Sequence, residues 1–306
     1  MITEELKKKT CCGIVLYNPE IEKLRKNINA LSHQVDKIIC IDNYSTNQKE
    51  ILTLLKSFDL HIQYIHNEEN LGIAAALNQI LEFAYKNGYE WYLTMDQDSV
   101  CSETLIEEYA KIVDISDDIA ILSPFVLNNY KILFDEYVKM DLPEYEFIND
   151  PTNCITSATL NNTIKSKEIG GYLEKLFIDG VDFEFNLRII QREYKIIRVN
   201  KAFMFQSMGE GHNVPSVQLL YKIFKSNTLR SLQVTPVYSD TRLYYIWRNG
   251  YYLRRKYGKL SGIRMSKRWM DFQFIYFYLT YPFNRSRIKM IKAIKKGKND
   301  SLQMGD

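Results

Sequence analysis

The chain has 306 residues, 46% of them hydrophobic and 25% charged, with a net charge of +3. That balance excludes a disordered chain and allows one large core, or one core plus a smaller appended piece. The five cysteines, Cys11, Cys12, Cys40, Cys101 and Cys154, form no CxxC pair, which argues against a disulfide scaffold or a zinc site and reads as buried free thiols.

The modest net charge conceals a segregation. Between Arg242 and Lys298 the only acidic residue is Asp271, set among many lysines and arginines, so the rest of the chain is net acidic. A tail of this kind is expected to face an anionic partner such as lipid headgroups, a phosphate-bearing acceptor or nucleic acid. Met1 to Thr10 carries charge and no hydrophobic signal core, so no secretion signal is expected. The longest apolar stretch, Phe272 to Phe283, is shorter than the ~20 residues needed to span a bilayer. The expected location is cytoplasmic, peripheral on the inner face of the cell membrane.

In chain order, Cys11 to Leu16, Lys37 to Ile41, His61 to Ile65 and Trp91 to Met95 read as strands. Glu20 to Leu31, Gln48 to Ser57 and Ile73 to Asn87 carry helical spacing between them. This alternation predicts an α/β, doubly wound, mostly parallel sheet, whose ligands bind beyond the carboxyl ends of the strands. Three of those ends are polar: Tyr17-Asn18-Pro19, Asp42-Asn43 and Asp96-Gln97-Asp98. Asn128 to Asn153 reads as irregular strands and loops. Gly180 to Tyr194 reads as a helix with Phe183, Leu187 and Ile190 on one face and Glu184 and Arg188 set for a solvent-side ion pair. Beyond about Pro215 the chain reads as helical, basic and aromatic. A division follows: a catalytic domain over 1–215, with a donor-binding half to about 100 and an acceptor half over 101–215, then a helical region over 216–306.

Two carboxylates one residue apart at a strand end, Asp96 and Asp98, suit a hard divalent cation that bridges to phosphates. The bland alternative is a solvated turn in which Asp98-Ser99 caps a helix starting near Glu103. Asp42 either begins a turn or accepts a hydrogen bond from a nucleobase or ribose. Asn70-Leu71-Gly72 precedes a helix bearing Ala74, Ala75, Ala76 and Asn78. Small residues there admit a ligand to the unsatisfied amides of the helix start, or else serve tight packing. Asp179, Asp182 and Glu184 open the later helix, where acids favour the macrodipole or where one acts as a general base. His212 lies in the glycine-bordered stretch Gly209 to Asn213. His33, His61 and His66 have no evident constellation and are given no role. No GxGxxG or GxxxxGK[ST] is present, so dinucleotide and P-loop sites are unsupported.

In order, Val15 to Pro19, Ile41 to Ser45, Asn70 to Asn78, Thr94 to Ser99, Ile155 to Ser157, Gly170 to Glu174, Phe177 to Arg188 and Gly211-His212 resemble the family 2 glycosyltransferases of the GT-A fold, particularly their bacterial rhamnosyltransferase-like branch. The resemblance covers most of residues 10 to 215. It implies that Asp96 and Asp98 hold magnesium or manganese on the donor diphosphate, with His212 completing the metal site. It further implies that Asp42 reads a uracil or thymine ring with Tyr17 nearby, that Asn43, Asn70, Gly72, Asn78 and Gln97 line the nucleotide-sugar site, and that Asp182 is the catalytic base. Two departures stand out: Val181 precedes Asp182 where many relatives carry an acid, with Asp179 as a substitute charge, and the branch's Ser-Gly is Ser157-Ala158 here. The implied activity is inverting transfer of a sugar, L-rhamnose from dTDP-L-rhamnose being favoured over UDP-hexoses or UDP-galactofuranose, onto a cell-surface polysaccharide or lipid-linked glycan precursor.

Two rivals come from other classes. A sugar-phosphate nucleotidyltransferase would need a glycine-rich, arginine-containing loop where Tyr17-Asn18-Pro19 stands. A non-catalytic basic module binding nucleic acid leaves the acidic strand ends unexplained. For the aromatic tail, the alternative to a membrane surface is a homo-oligomer or domain interface.

Overall fold

The computed structural model describes residues 1–59, 62–128, 132–206, 211–261, 266–282 and 284–305. They form two compact units, the first comprising 1–126, 141–177 and 181–206, the second 127–140, 178–180 and 207–306.

In the first unit the alternation begins with α1 (Thr3–Lys8), β1 (Thr10–Leu16), α2 (Ile21–Leu31), β2 (Lys37–Asp42) and α3 (Gln48–Lys56). It continues through β3 (Ile62–His66), α4 (Ile73–Lys86), β4 (Trp91–Asp96), the short β5 (Val100–Cys101) and α5 (Leu105–Ile112). His61, expected to open β3, lies outside the described residues. Then follow β6 (Ile119–Leu127), a single helical turn α6 (Phe134–Tyr137) that belongs to the second unit, β7 (Tyr145–Phe147), β8 (Thr159–Asn162), α7 (Thr163–Glu168), α8 (Val181–Gln191) and β9 (Lys195–Phe205).

The strands form one nine-stranded sheet of order β3-β2-β1-β4-β8-β6-β9-β5, with β7 added on β9. The first four are mutually parallel, as three consecutive helical crossovers require. β8 then joins β4 antiparallel. Every residue of β1 is buried, as expected of a central strand covered on both faces. Its apolar side chains pack with Leu24, Ile28 and Leu31 of α2, Leu93 of β4 and Leu105 and Tyr109 of α5 in the main core. All five cysteines are free and buried, and burial pushes the Cys40 and Cys154 thiols up to about 12, far from thiolate chemistry.

Three expectations change. The helix after Asp98 begins at Leu105, behind strand β5, so Asp98-Ser99 caps nothing; Ser99 is fully buried. The later helix runs from Val181 to Gln191 rather than Gly180 to Tyr194. Its Glu184–Arg188 pair is not on the solvent side. Glu184 is fully buried and takes Arg188 Nε and Nη2 at 2.7–2.9 Å, while Nη2 also donates to Gly171 O at 2.6 Å. The i,i+4 spacing holds, but Phe183, Phe185, Leu187 and Ile189 are buried around it, so the helix has no wet face for the ions.

The second unit adds β10 (Gly211–Asn213), α9 (Pro215–Phe224), α10 (Asn227–Leu232), β11 (Val234–Pro236), α11 (Asp240–Tyr257), α12 (Lys267–Thr280) and α13 (Arg287–Ser301). Its core joins Leu243 and Trp247 of α11, Met270 of α12, Tyr281, and Met290 and Ile294 of α13. Gly297 of α13 permits the close crossing: a Cβ there would stand 2.4 Å from Tyr244 O. Among the described residues no helix is long and apolar enough to cross a membrane.

Candidate active site

Each polar strand end of the first unit is locked to its neighbour by side-chain hydrogen bonds. After β1, Tyr17 N donates to Gln97 Oε1 at 2.8 Å and Gln97 Nε2 returns a bond to Tyr17 O at 3.2 Å. Asn18, at φ 48°, accepts from Thr46 N and donates its own N–H to Ser45 Oγ, both at 2.8 Å. Asn43 is buried. Its Nδ2 donates to Asn70 Oδ1 at 2.9 Å, and its Oδ1 accepts from Leu71 N at 3.0 Å. Asn70 Oδ1 also accepts from Gly72 N at 3.0 Å. Gln97, Asn43 and Asn70 therefore spend these polar atoms on the protein. Asn78 does likewise at the next turn of α4, bonding Tyr172 N and O and Glu174. Tyr17 keeps a ring that is half exposed.

Asp42 has no exposed surface. Its Oδ1 accepts from Ser45 N at 3.0 Å, and Oδ2 accepts from the Tyr64 hydroxyl and from His66 Nδ1 at 3.0 Å. Burial would raise this carboxyl, but the bonds from Ser45, Tyr64 and His66 together outweigh it and hold the group below its ordinary value. Asp42 is thus a buried carboxylate held on both oxygens by its neighbours. His66, given no role from the sequence, has a constellation after all. Register decides it: Asp42 and His66 are direct partners between β2 and β3.

The first two amides of α4 are already taken by a distant carbonyl. Ile73 N donates to Phe177 O at 2.7 Å, and Ala74 N approaches the same oxygen at 3.4 Å. Phe177 adopts φ 64°, ψ −65°, a strained γ-turn geometry, to place that carbonyl. Gly72, at φ 85°, lies under it, and a Cβ there would stand 2.6 Å from the Phe177 ring and 2.7 Å from its oxygen. Tight packing is what the small residues serve. Gly72→Ala is expected to cost about 2–4 kcal/mol from the backbone conformation and the overlap together. Urea denaturation would show it as a lowered midpoint with an unchanged slope.

Asp96 and Asp98 are half-buried at the end of β4. Asn27 Nδ2 pins their turn by donating to Asp96 O at 2.5 Å and Ser99 O at 2.7 Å. Burial raises the Asp98 carboxyl, partly opposed by the nearby Lys23 charge. Two held carboxylates, oxygen donors only, fit a hard divalent cation that draws its other ligands from phosphate and water. Ser157 Oγ accepts from Asp96 N at 3.1 Å, and Cys154 O in the same segment accepts from Asn186 Nδ2 of α8 at 2.8 Å. One short stretch therefore touches both the strand of the acidic pair and the helix of Asp182. Asp182 opens α8 half-buried, with Phe183 N donating to its Oδ1 at 2.8 Å. Its charge is felt at Cys154 and Tyr172.

A family model described as glycosyl transferase family 2 matches residues 11–168, more than half of the chain. The chain belongs to glycosyl transferase family 2. It is 27% identical over 292 residues to dTDP-rhamnosyl transferase RfbF of Shigella flexneri, covering 91% of this chain and 90% of that one. A glycosyltransferase of Methanocaldococcus jannaschii is 24% identical over 227 residues, 70% of this chain and 76% of its own. Among solved structures the mannosyltransferase PcManGT from Pyrobaculum calidifontis has a TM-score of 0.53 at 11% identity, covering 97% of this chain and 87% of that one. The fold is GT-A, carrying C-terminal helices, and the family 2 chain is a nucleotide-sugar glycosyltransferase.

His212 and Asp179, the remaining residues of the family pattern, both belong to the second unit. His212 lies on β10, paired with Thr235 of β11, and lines a small cavity with Tyr238, Leu243, Phe277 and Tyr281. Gly209 and Glu210 lie outside the described residues. Among the described residues no three His, Cys, Asp or Glu gather where they could hold an ion. Asp179 is engaged on both sides: Arg242 binds its carboxylate at 3.1–3.3 Å, and Asn249 Nδ2 holds its carbonyl at 2.8 Å. The Ser157-Ala158 departure has a local reading. Ala158 sits at φ 56°, the left-handed region where glycine is at ease, and is fully buried.

Proposed function

We propose that this glycosyltransferase moves L-rhamnose from dTDP-L-rhamnose, with inversion, onto a hydroxyl of a cell-surface polysaccharide or lipid-linked glycan precursor. The observation that carries the reading is the likeness to RfbF across nearly the whole of both chains. The acceptor oxygen attacks the anomeric carbon, the bond to the diphosphate breaks, and the departing oxygen keeps the electron pair. Asp182 takes the hydroxyl proton, its Oδ1 fixed by the amide of Phe183. Asp96 and Asp98 would hold a manganese or magnesium ion, which supplies Lewis-acid neutralisation of the leaving group. In support, PcManGT was solved with GDP-Man and Mn2+. A donor panel read as nucleoside diphosphate release tests the sugar. Release from dTDP-L-rhamnose well above that from UDP-hexoses is expected, and the reverse ranking removes the rhamnose assignment.

The second unit is proposed to rest on an anionic bilayer. α12 turns Met270, Phe274 and Phe277 into its core and leaves Phe272, Ile275, Tyr278 and Leu279 exposed along one stripe. Exposed Lys267 and Arg268 stand at one end of the helix, and exposed Lys289 follows its other end. An apolar stripe bracketed by cations matches the boundary between acyl chains and anionic headgroups. Vesicles rich in phosphatidylglycerol should float the protein at low salt, and Ile275→Glu with Leu279→Glu should cut the bound fraction about tenfold. Equal flotation of the double variant, or salt-independent self-association in place of flotation, would replace the bilayer with another partner.

A further inference from the structure

The turn that carries the acidic pair is closed from beneath by a residue with no part in the chemistry above. Asp96-Gln97-Asp98-Ser99 forms a tight turn between β4 and β5. Its own closing bond, from Ser99 N to Asp96 O, is long at 3.4 Å. Asn27 of α2 makes up for it. Its Nδ2 donates to Asp96 O at 2.5 Å and to Ser99 O at 2.7 Å, so both hydrogens of one nitrogen are spent on the two ends of the turn. Asn27 is fully buried, on the α2 face that Leu24, Ile28 and Leu31 give to the core. Its Oδ1 has no partner among the described residues, a desolvation penalty that a leucine in the same place would not carry. What the asparagine supplies in return is its pair of donors. Seven residues on, just past the end of α2, the buried Gln34 grips the following stretch: its Nε2 donates to Ser102 O at 2.9 Å and its Oε1 accepts from Ile106 N at 3.1 Å. Gln34 holds the chain beyond the acidic turn, and Asn27 holds the turn itself.

We infer that Asn27 is a positioning residue for the cation site: by tying Asp96 O to Ser99 O it fixes the spacing of the Asp96 and Asp98 carboxylates. This rests on the reading above that these two acids hold manganese or magnesium. Their side chains leave the turn at its first and third positions, so their separation follows the backbone dihedrals of the turn. A turn free to open would let them drift apart, and a hard cation gains most from oxygens already at its coordination distance. Asn27, being fully buried, acts through the backbone.

The test reads dTDP binding by calorimetry across a series of manganese concentrations, on the full chain and on Asn27→Ala, Asn27→Ser and Gln34→Met. Asn27→Ala should raise the manganese concentration that half-maximally supports binding about tenfold or more, while metal-free dTDP binding stays where it was. Asn27→Ser, which keeps one donor, should fall between. Gln34→Met removes a comparable set of buried bonds, so it should lower the thermal midpoint by a similar amount with the manganese requirement unchanged. A folded Asn27→Ala protein with the original manganese requirement overturns the inference. So does an equal rise in Gln34→Met, which would mark both residues as props of the core, and so does failure of both Asn27 variants to fold. If manganese does not strengthen dTDP binding to the unmodified protein, the reading of the acidic pair falls and this inference with it.

Discussion

Asp182→Asn is expected to lower turnover by about 10²–10⁴-fold, the usual contribution of a general base, while leaving nucleoside diphosphate binding intact. The substitution preserves shape and the bond from Phe183 N to the side-chain oxygen at 2.8 Å, so α8 keeps its start. What it removes is the capacity to take a proton. The surroundings favour a role for this acid over its neighbours: Glu184 is consumed by Arg188 in the interior, and Asp179 by Arg242. Turnover with dTDP-L-rhamnose and calorimetry with dTDP, run on the same preparation, separate the two effects. Near-normal turnover would take Asp182 out of the reaction.

The second large effect is expected at Asp96. Asp96→Ala should abolish the metal-dependent part of nucleoside diphosphate binding and reduce turnover by about 10³-fold, several kcal/mol of lost charge neutralisation. The backbone at this point is held independently of the side chain, with Asp96 N on Ser157 and Asp96 O on Asn27. The variant should therefore fold, and a thermal midpoint near that of the unmodified protein would establish it. Titrations with and without manganese that weaken equally in the variant would instead assign Asp96 a structural role.

Much of this molecule was readable along the chain because its first hundred residues obey local rules. β1, α2, β2 and α4 fall within a residue or two of their expected bounds, since alternating periods and polar strand ends need no long-range knowledge. The polar strand end at Asp96 was legible for the same reason. What escaped was every feature decided by register or by distant chain. Asp42 looks available at a strand end until β3 brings Tyr64 and His66 alongside it. The start of α4 looks like an anion cradle until Phe177, about a hundred residues later, delivers its carbonyl there. Glu184 and Arg188 announce a pair by spacing, but only the packing around α8 says that the pair is dry.

The hydrogen bonds that Asn18, Asn43, Asn70 and Gln97 make to neighbouring strand ends have a consequence for how recognition can change over time. A substrate arriving at these strand ends meets a scaffold already at rest, so little ordering is charged against its affinity. The half-exposed ring of Tyr17 stands out from that scaffold and can vary without unpicking it. New donor preferences can then arise by exchanging ornaments on an unchanged frame.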